Sequence, residues 1–271
     1  MHWTLDEIPW VRLERDAVEP PLLAVVKAAA LVEGRSADYV TYLCNVFADD
    51  PEFQAQARQW GLEEVQHGAA LGAWAERVDP SFDYATALSE FRAGFALPLE
   101  ARRSVRGSLS GELVARCVVE CGTSSFYSAI RDATDEPVLR EICRRIAGDE
   151  FRHYQLFLRT LRRYRKTQPL GLLGRLRVAF GRIDETADDE LPFAYHCANL
   201  GRDQPYDRRA CATAYEARAA RLYRPVHVAR MVAMIAKAVD LDPQGWIVRQ
   251  AQRLAWQVLL WRRRRLEAVP A

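Results

Sequence analysis

Apolar residues recur every three or four positions through four long stretches of the chain. The residues that interrupt these stripes are acids and histidines. Over roughly 20–48 the stripe is Leu22, Val26, Ala29, Ala30, Glu33, Ala37, Val40, Cys44 and Phe47. Such spacing keeps all of them on one helical face. Over roughly 51–78 it is Phe53, Ala57, Trp60, Glu64, His67, Leu71, Trp74 and Val78, with Asp50 and Pro51 as N-cap and first helical residue. Over roughly 109–133 it is Leu109, Leu113, Cys117, Glu120, Ser124, Tyr127 and Ile130. Over roughly 136–165 it is Val138, Ile142, Ile146, Glu150, His153, Phe157, Leu161 and Tyr164.

Alternating β-branched runs with tight turn signals are nearly absent, so the chain is expected to be all-α. A short link near 49–51 joins the first two stretches, and 132–137 joins the last two. Each pair is expected to form an antiparallel hairpin. Residues 79–108 leave room for a further helix, roughly 83–97, and a crossover. Two hairpins with one long connection predict a ferritin-like four-helix bundle. The expected division is 1–182 for this bundle with an N-terminal extension, and 183–271 for additional helices packed on it. In that second part, helices are predicted over 211–223, over 227–239 and from about 243. The basic, glycine-containing stretch 165–182 reads as a linker.

The candidate chemistry lies in a repeat. Glu64 precedes His67 by three residues, and Glu150 precedes His153 by three. That spacing puts each pair one turn apart on one face. Glu33 precedes Glu64 by 31 residues and Glu120 precedes Glu150 by 30. Each hairpin thus offers Glu, then Glu-x-x-His. Four carboxylates and two imidazoles suit two metal ions, with carboxylates left to bridge. Oxygen and imidazole donors favour iron or manganese over a thiolate-rich zinc site. Four interior carboxylates would also be costly to bury without a compensating cation. Gly34, Gly68, Gly122 and Gly148 all lie within two residues of a proposed ligand. They leave open either space for a small molecule or close helix approach.

At these residues the chain resembles the ferritin-like di-iron oxygenases, and among them the soluble acyl carrier protein desaturases. The stretch from Trp60 to Gly68 looks like that family's W-x-x-E-E-x-x-H-G helix. The stretch from Glu141 to His153 is similar to its I-A-x-D-E-x-R-H segment, and Glu120 to Thr123 matches its E-x-x-T. The resemblance covers roughly 20–165. It implies Glu33, Glu64, His67, Glu120, Glu150 and His153 as ligands of two iron ions, with a manganese/iron pair as the variant. It further implies Thr123 at the oxygen-binding side and Asp149 orienting His67. A Trp completes the electron relay in that family; Trp3 and Trp10 are the candidates, whereas Trp60 and Trp74 read as core. The activity implied is O2-dependent oxidation of a hydrophobic substrate, acyl or carrier-bound, by desaturation or hydroxylation. Ala30, Phe126, Tyr127 and Phe157 are expected to wall the substrate. Aldehyde deformylation and quinone-pathway hydroxylation use the same ligand pattern and stay open, as does a non-enzymatic ferroxidase or iron-binding role. Family members are commonly dimers, so a homodimer is among the expectations.

Composition narrows the partners. A net charge of +2 gives no global case for nucleic acid. Six cysteines without a CxxC pair read as reduced thiols of a cytoplasmic protein. No apolar run reaches the ~18 residues of a membrane span. No flavin or nicotinamide fingerprint appears, so an electron-donor protein is expected. Near the C-terminus, Trp256, Leu260 and Trp261 precede Arg262–Arg265. This segment suits peripheral membrane contact, an acidic carrier protein, or simple packing with a solvated basic end. His2, His196 and His227 have no spacing that makes a site.

Overall fold

The computed structural model describes residues 2–95, 98–184, 189–201 and 204–267, and among these there are helices and no strands. In chain order the α-helices are α1 Pro20–Gly34, α2 Ser36–Val46, α3 Pro51–Val78, α4 Tyr84–Gly94, α5 Leu109–Ala133 and α6 Pro137–Tyr164. They continue as α7 Leu172–Asp184, α8 Glu190–Asn199, α9 Arg208–Leu222, α10 Pro225–Ala238 and α11 Trp246–Glu267. Short 3-10 turns occupy the N-terminal segment. The all-α expectation holds, and none of the helices is long and apolar enough to cross a membrane.

Two compact units make up the chain. One takes Met1–Arg102, Ala133–Arg145 and Thr186–Ala219; the other takes Arg103–Asp132, Ile146–Glu185 and Ala220–Ala271. Both draw on residues from either side of position 182.

In the first unit, α1 and α2 pack on α3, and α1 also packs on α8. The Asp50 carboxylate caps α3 by accepting from the Phe53 N–H at 3.0 Å, with Pro51 at the first position, as the sequence predicts. The stretch 20–48 is not one helix, however. It breaks at Arg35, between α1 and α2. The Arg92 guanidinium of α4 donates to the Gly34 carbonyl at 2.6 Å, and Arg35 itself reaches the Phe95 carbonyl. Arg92 therefore takes up the last carbonyl of α1 at the point where that helix stops. The Glu136 carboxylate is fully buried and gathers four donors: Trp74 Nε1 at 2.8 Å and the N–H groups of Leu139, Val138 and Glu14 at 2.6, 3.1 and 3.2 Å. It caps α6 and ties the N-terminal segment and α3 to that cap.

In the second unit, buried hydroxyls bond to neighbouring backbones. Ser124 Oγ donates to the Ala147 carbonyl at 3.2 Å, Ser125 Oγ to His227 at 2.9 Å, and the Tyr154 hydroxyl to Met234 at 2.8 Å. His227, given no role from spacing, is structural. Its Nδ1 accepts from the Arg224 N–H at 3.0 Å, which leaves Nε2 to donate to Asp132 at 2.9 Å. The expected linker 165–182 is corrected: its second half is helix α7. Arg175 anchors that helix by donating to the carbonyls of Val239 at 2.8 Å and Leu170 at 2.6 Å. A basic, glycine-containing sequence is thereby held helical by contacts that are remote in the chain.

Candidate metal centre

The Glu-x-x-His pairs lie where helical spacing puts them. Glu64 and His67 sit one turn apart on α3, Glu150 and His153 on α6, Glu33 on the last turn of α1 and Glu120 midway along α5. All six are at most 7 % exposed. This is unusual for glutamate, which is seldom buried unless paired or bound to metal.

His67 Nδ1 lies 3.9 Å from Glu33 Oε2. His153 Nδ1 lies 3.7 Å from Glu120 Oε2 and 4.0 Å from Glu150 Oε2. Two donors each about 2.1 Å from one ion stand about 3–4 Å apart, so these gaps are the right size. Ligand atoms of Glu33, Glu64, His67 and Glu150 all lie within 4.8 Å of one another, and those of Glu64, Glu120, Glu150 and His153 do the same. Each buried set can hold a metal ion. Glu64 and Glu150 belong to both sets.

Two buried thiols lie near Glu120 on the same helix. Burial pushes the Cys117 thiol far up, and the neighbouring Glu120 carboxylate adds to the shift. Cys121 is pushed up by burial, then by Cys117 and Glu120. Neither set of candidate ligands includes a cysteine, so the donors in both are carboxylate oxygen and imidazole nitrogen.

Thr123 Oγ1 donates to Glu150 Oε2 at 2.5 Å, on a ligand that both sets share. Asp149 is buried beside Glu150, and its carboxylate meets the Arg152 guanidinium. Of the two tryptophan candidates, Trp3 is the one at the site. Its buried ring stacks on the His67 imidazole, with centroids 6.1 Å apart and planes within 6°. Trp10 instead donates to the Leu5 carbonyl at 3.0 Å and lies under the Arg77 guanidinium. Trp60 and Trp74 are core residues. Among the expected walls, Ala30, Tyr127 and Phe157 are buried, and Phe126 is half-buried with its edge on Tyr127.

The glycines divide. A Cβ on Gly68 would stand 2.5 Å from the Gly34 backbone nitrogen, so these two let α1 and α3 approach closely beside Glu33 and His67. A Cβ on Gly122 would meet nothing within 4 Å, and one on Gly148 only the Arg152 side chain at 3.7 Å. Tyr84 was not foreseen. It lies against Gly34, Gly68 and Gly72, and its hydroxyl donates to the Ala30 carbonyl at 3.3 Å. Its sequence signal is an aromatic at the first position of α4.

Comparison of the sequence with protein-family models and with curated proteins finds no match.

Proposed function

We propose that the chain is a ferritin-like non-haem di-iron oxidoreductase that uses O2 on a hydrophobic substrate, of acyl type and free or carrier-bound. The observation that carries this reading is the pair of buried Glu/His sets with Glu64 and Glu150 in common. Two sets sharing two carboxylates suit two ions held side by side. The donor chemistry suits iron, with manganese/iron as the variant. When bound, such a pair supplies the redox capacity toward O2 that no side chain of this protein has.

The protein's own groups have separable tasks. Glu33, Glu64 and His67 would hold one ion and Glu120, Glu150 and His153 the other, with Glu64 and Glu150 belonging to both sets. Thr123 holds its hydroxyl proton on Glu150 Oε2, where it fixes that carboxylate and keeps a proton at the edge of the site. Asp149 is assigned the orientation of His67. Trp3, stacked on the His67 ring, is assigned the inward passage of electrons from a donor protein. Tyr127 and Phe157, buried on the helices that carry Glu120 and Glu150, are assigned the exclusion of water.

The test is anaerobic loading of purified protein with ferrous iron, counted per chain, followed by a single O2 pulse with long-chain acyl substrates. Two irons per chain and an oxidised organic product are expected. Fewer than two irons would sink the reading. Two irons with O2 consumed but no organic product across acyl, aldehyde and quinol-precursor substrates would make the protein a ferroxidase.

A further inference from the structure

Among the described residues, helix α11 leaves an apolar face exposed. Of its described side chains only Val248 is buried. The helix packs on α10, and Gln252 Nε2 donates to the Ala229 carbonyl at 3.0 Å. Away from that contact, Ile247, Leu254, Val258 and Trp261 are 65, 65, 43 and 54 % exposed. They follow one another at seven, four and three residues, which places them in one stripe. Trp246 adds a further exposed ring at 67 %. Exposed apolar stripes of this kind mark contact surfaces in soluble domains.

Charge selects the occupant. The helix carries Arg249, Arg253 and Arg262–Arg265 against the single acid Glu267. The Arg265 guanidinium lies 4.7 Å from the Trp261 ring centroid, so a cation and an aromatic share the end of the stripe. A second copy meeting this face symmetrically would bring two sets of arginines together. An acidic protein would match the positive charge of the helix but would also have to cover a straight apolar row about 21 Å long, at about 1.5 Å per residue. An anionic bilayer surface satisfies both: apolar side chains enter the boundary below the headgroups while arginines reach the phosphates. In the same unit α7 repeats the composition, with Leu173 and Phe180 exposed and Arg177 at the surface.

We infer that α11 docks the protein in the plane of an anionic membrane, through the Ile247–Leu254–Val258–Trp261 stripe and its flanking arginines. This surface is separate from the metal centre, and its test needs no turnover.

Full-length protein, metal-free and metal-loaded alike, is floated with phosphatidylcholine vesicles that either contain or lack phosphatidylglycerol. Binding to the anionic vesicles, weakened by salt, is expected. The double variant Leu254→Glu/Trp261→Glu should lower partitioning by at least about tenfold. Val11→Glu, at an exposed position elsewhere, should leave it unchanged. Circular dichroism confirms that each variant is folded. Equal flotation of the double variant overturns the inference, and so does absence of flotation. A dimer in light scattering that the double variant dissociates, without flotation, assigns the face to a second copy and overturns it too. Binding to an acidic carrier protein without flotation does the same.

Discussion

The indole of Trp3 lies parallel to the imidazole of His67, 6.1 Å between centroids, and the Arg145 guanidinium stands 5.7 Å from the same indole. A residue near the N-terminus is thus built against a ligand of the proposed centre. Trp3→Phe should keep two irons per chain but slow reduction of the ferric protein by an external donor, measured by stopped-flow absorbance. Trp3→Ala should lower stability by about 3 kcal/mol, because it empties a buried aromatic site. Unchanged reduction rates in Trp3→Phe would remove Trp3 from electron transfer.

The shared carboxylates make metal content an informative count. Glu64→Ala or Glu150→Ala touches both four-residue sets, so iron should fall toward zero per chain. His67→Ala and His153→Ala each touch one set, so each should leave close to one. Elemental analysis against protein concentration reads this directly. Equal losses in all four variants would mean that the sets do not act as two sites.

Two glycines next to the site should respond oppositely to the same change. Gly68→Ala would force a methyl against the Gly34 backbone and should destabilise by about 1–3 kcal/mol. Gly122→Ala meets open space in the middle of a helix and should stabilise by about 0.5–1 kcal/mol. Thermal melts of the two variants decide it. A stabilising Gly68→Ala would contradict the close approach of α1 and α3.

Acid should weaken the protein through identifiable pairs. The Asp79 carboxyl is held down at about 2 by the Lys27 ammonium, 2.6 Å away, and by Ser81. Asp132 is held at about 2 by Arg131 and then His227. Glu141 is held at about 2 by Arg144 and Arg145. Each is lower in the folded state than in the unfolded chain. Its contribution is therefore complete above about pH 4.5 and lost as pH falls toward 2. The melting temperature of Asp79→Asn should lie below that of the parent at pH 6 and converge with it near pH 2. A gap independent of pH would show that Asp79 acts through packing alone.

Much of this architecture was legible as spacing. The bounds of α3 and α5 follow from the apolar stripes, and Asp50-Pro51 announces the start of α3. The six candidate ligands were legible because a carboxylate or imidazole inside an apolar stripe must be buried, and all six are. What failed to show was set by partners far away in the chain. Arg92 meets the chain at the break after Gly34, and Arg175 of 172–184 reaches the Val239 carbonyl. No motif distinguishes Trp3 from Trp10, and only the folding of the N-terminal turns separates the one beside His67 from the one beneath Arg77. The buried acid Glu136 sits in a loop sequence that carries no periodicity to mark it.

Glu33 is the penultimate residue of α1, and the carbonyl directly after it is held by Arg92 from α4. The reach of that carboxylate is therefore governed from outside its own helix. A change in α4 that never touches a ligand, such as Arg92→Leu, would free the end of α1 and let Glu33 drift. Helix α4 thus acts as a tuning screw for one candidate ligand, and that ligand's position can change there without altering a single donor atom.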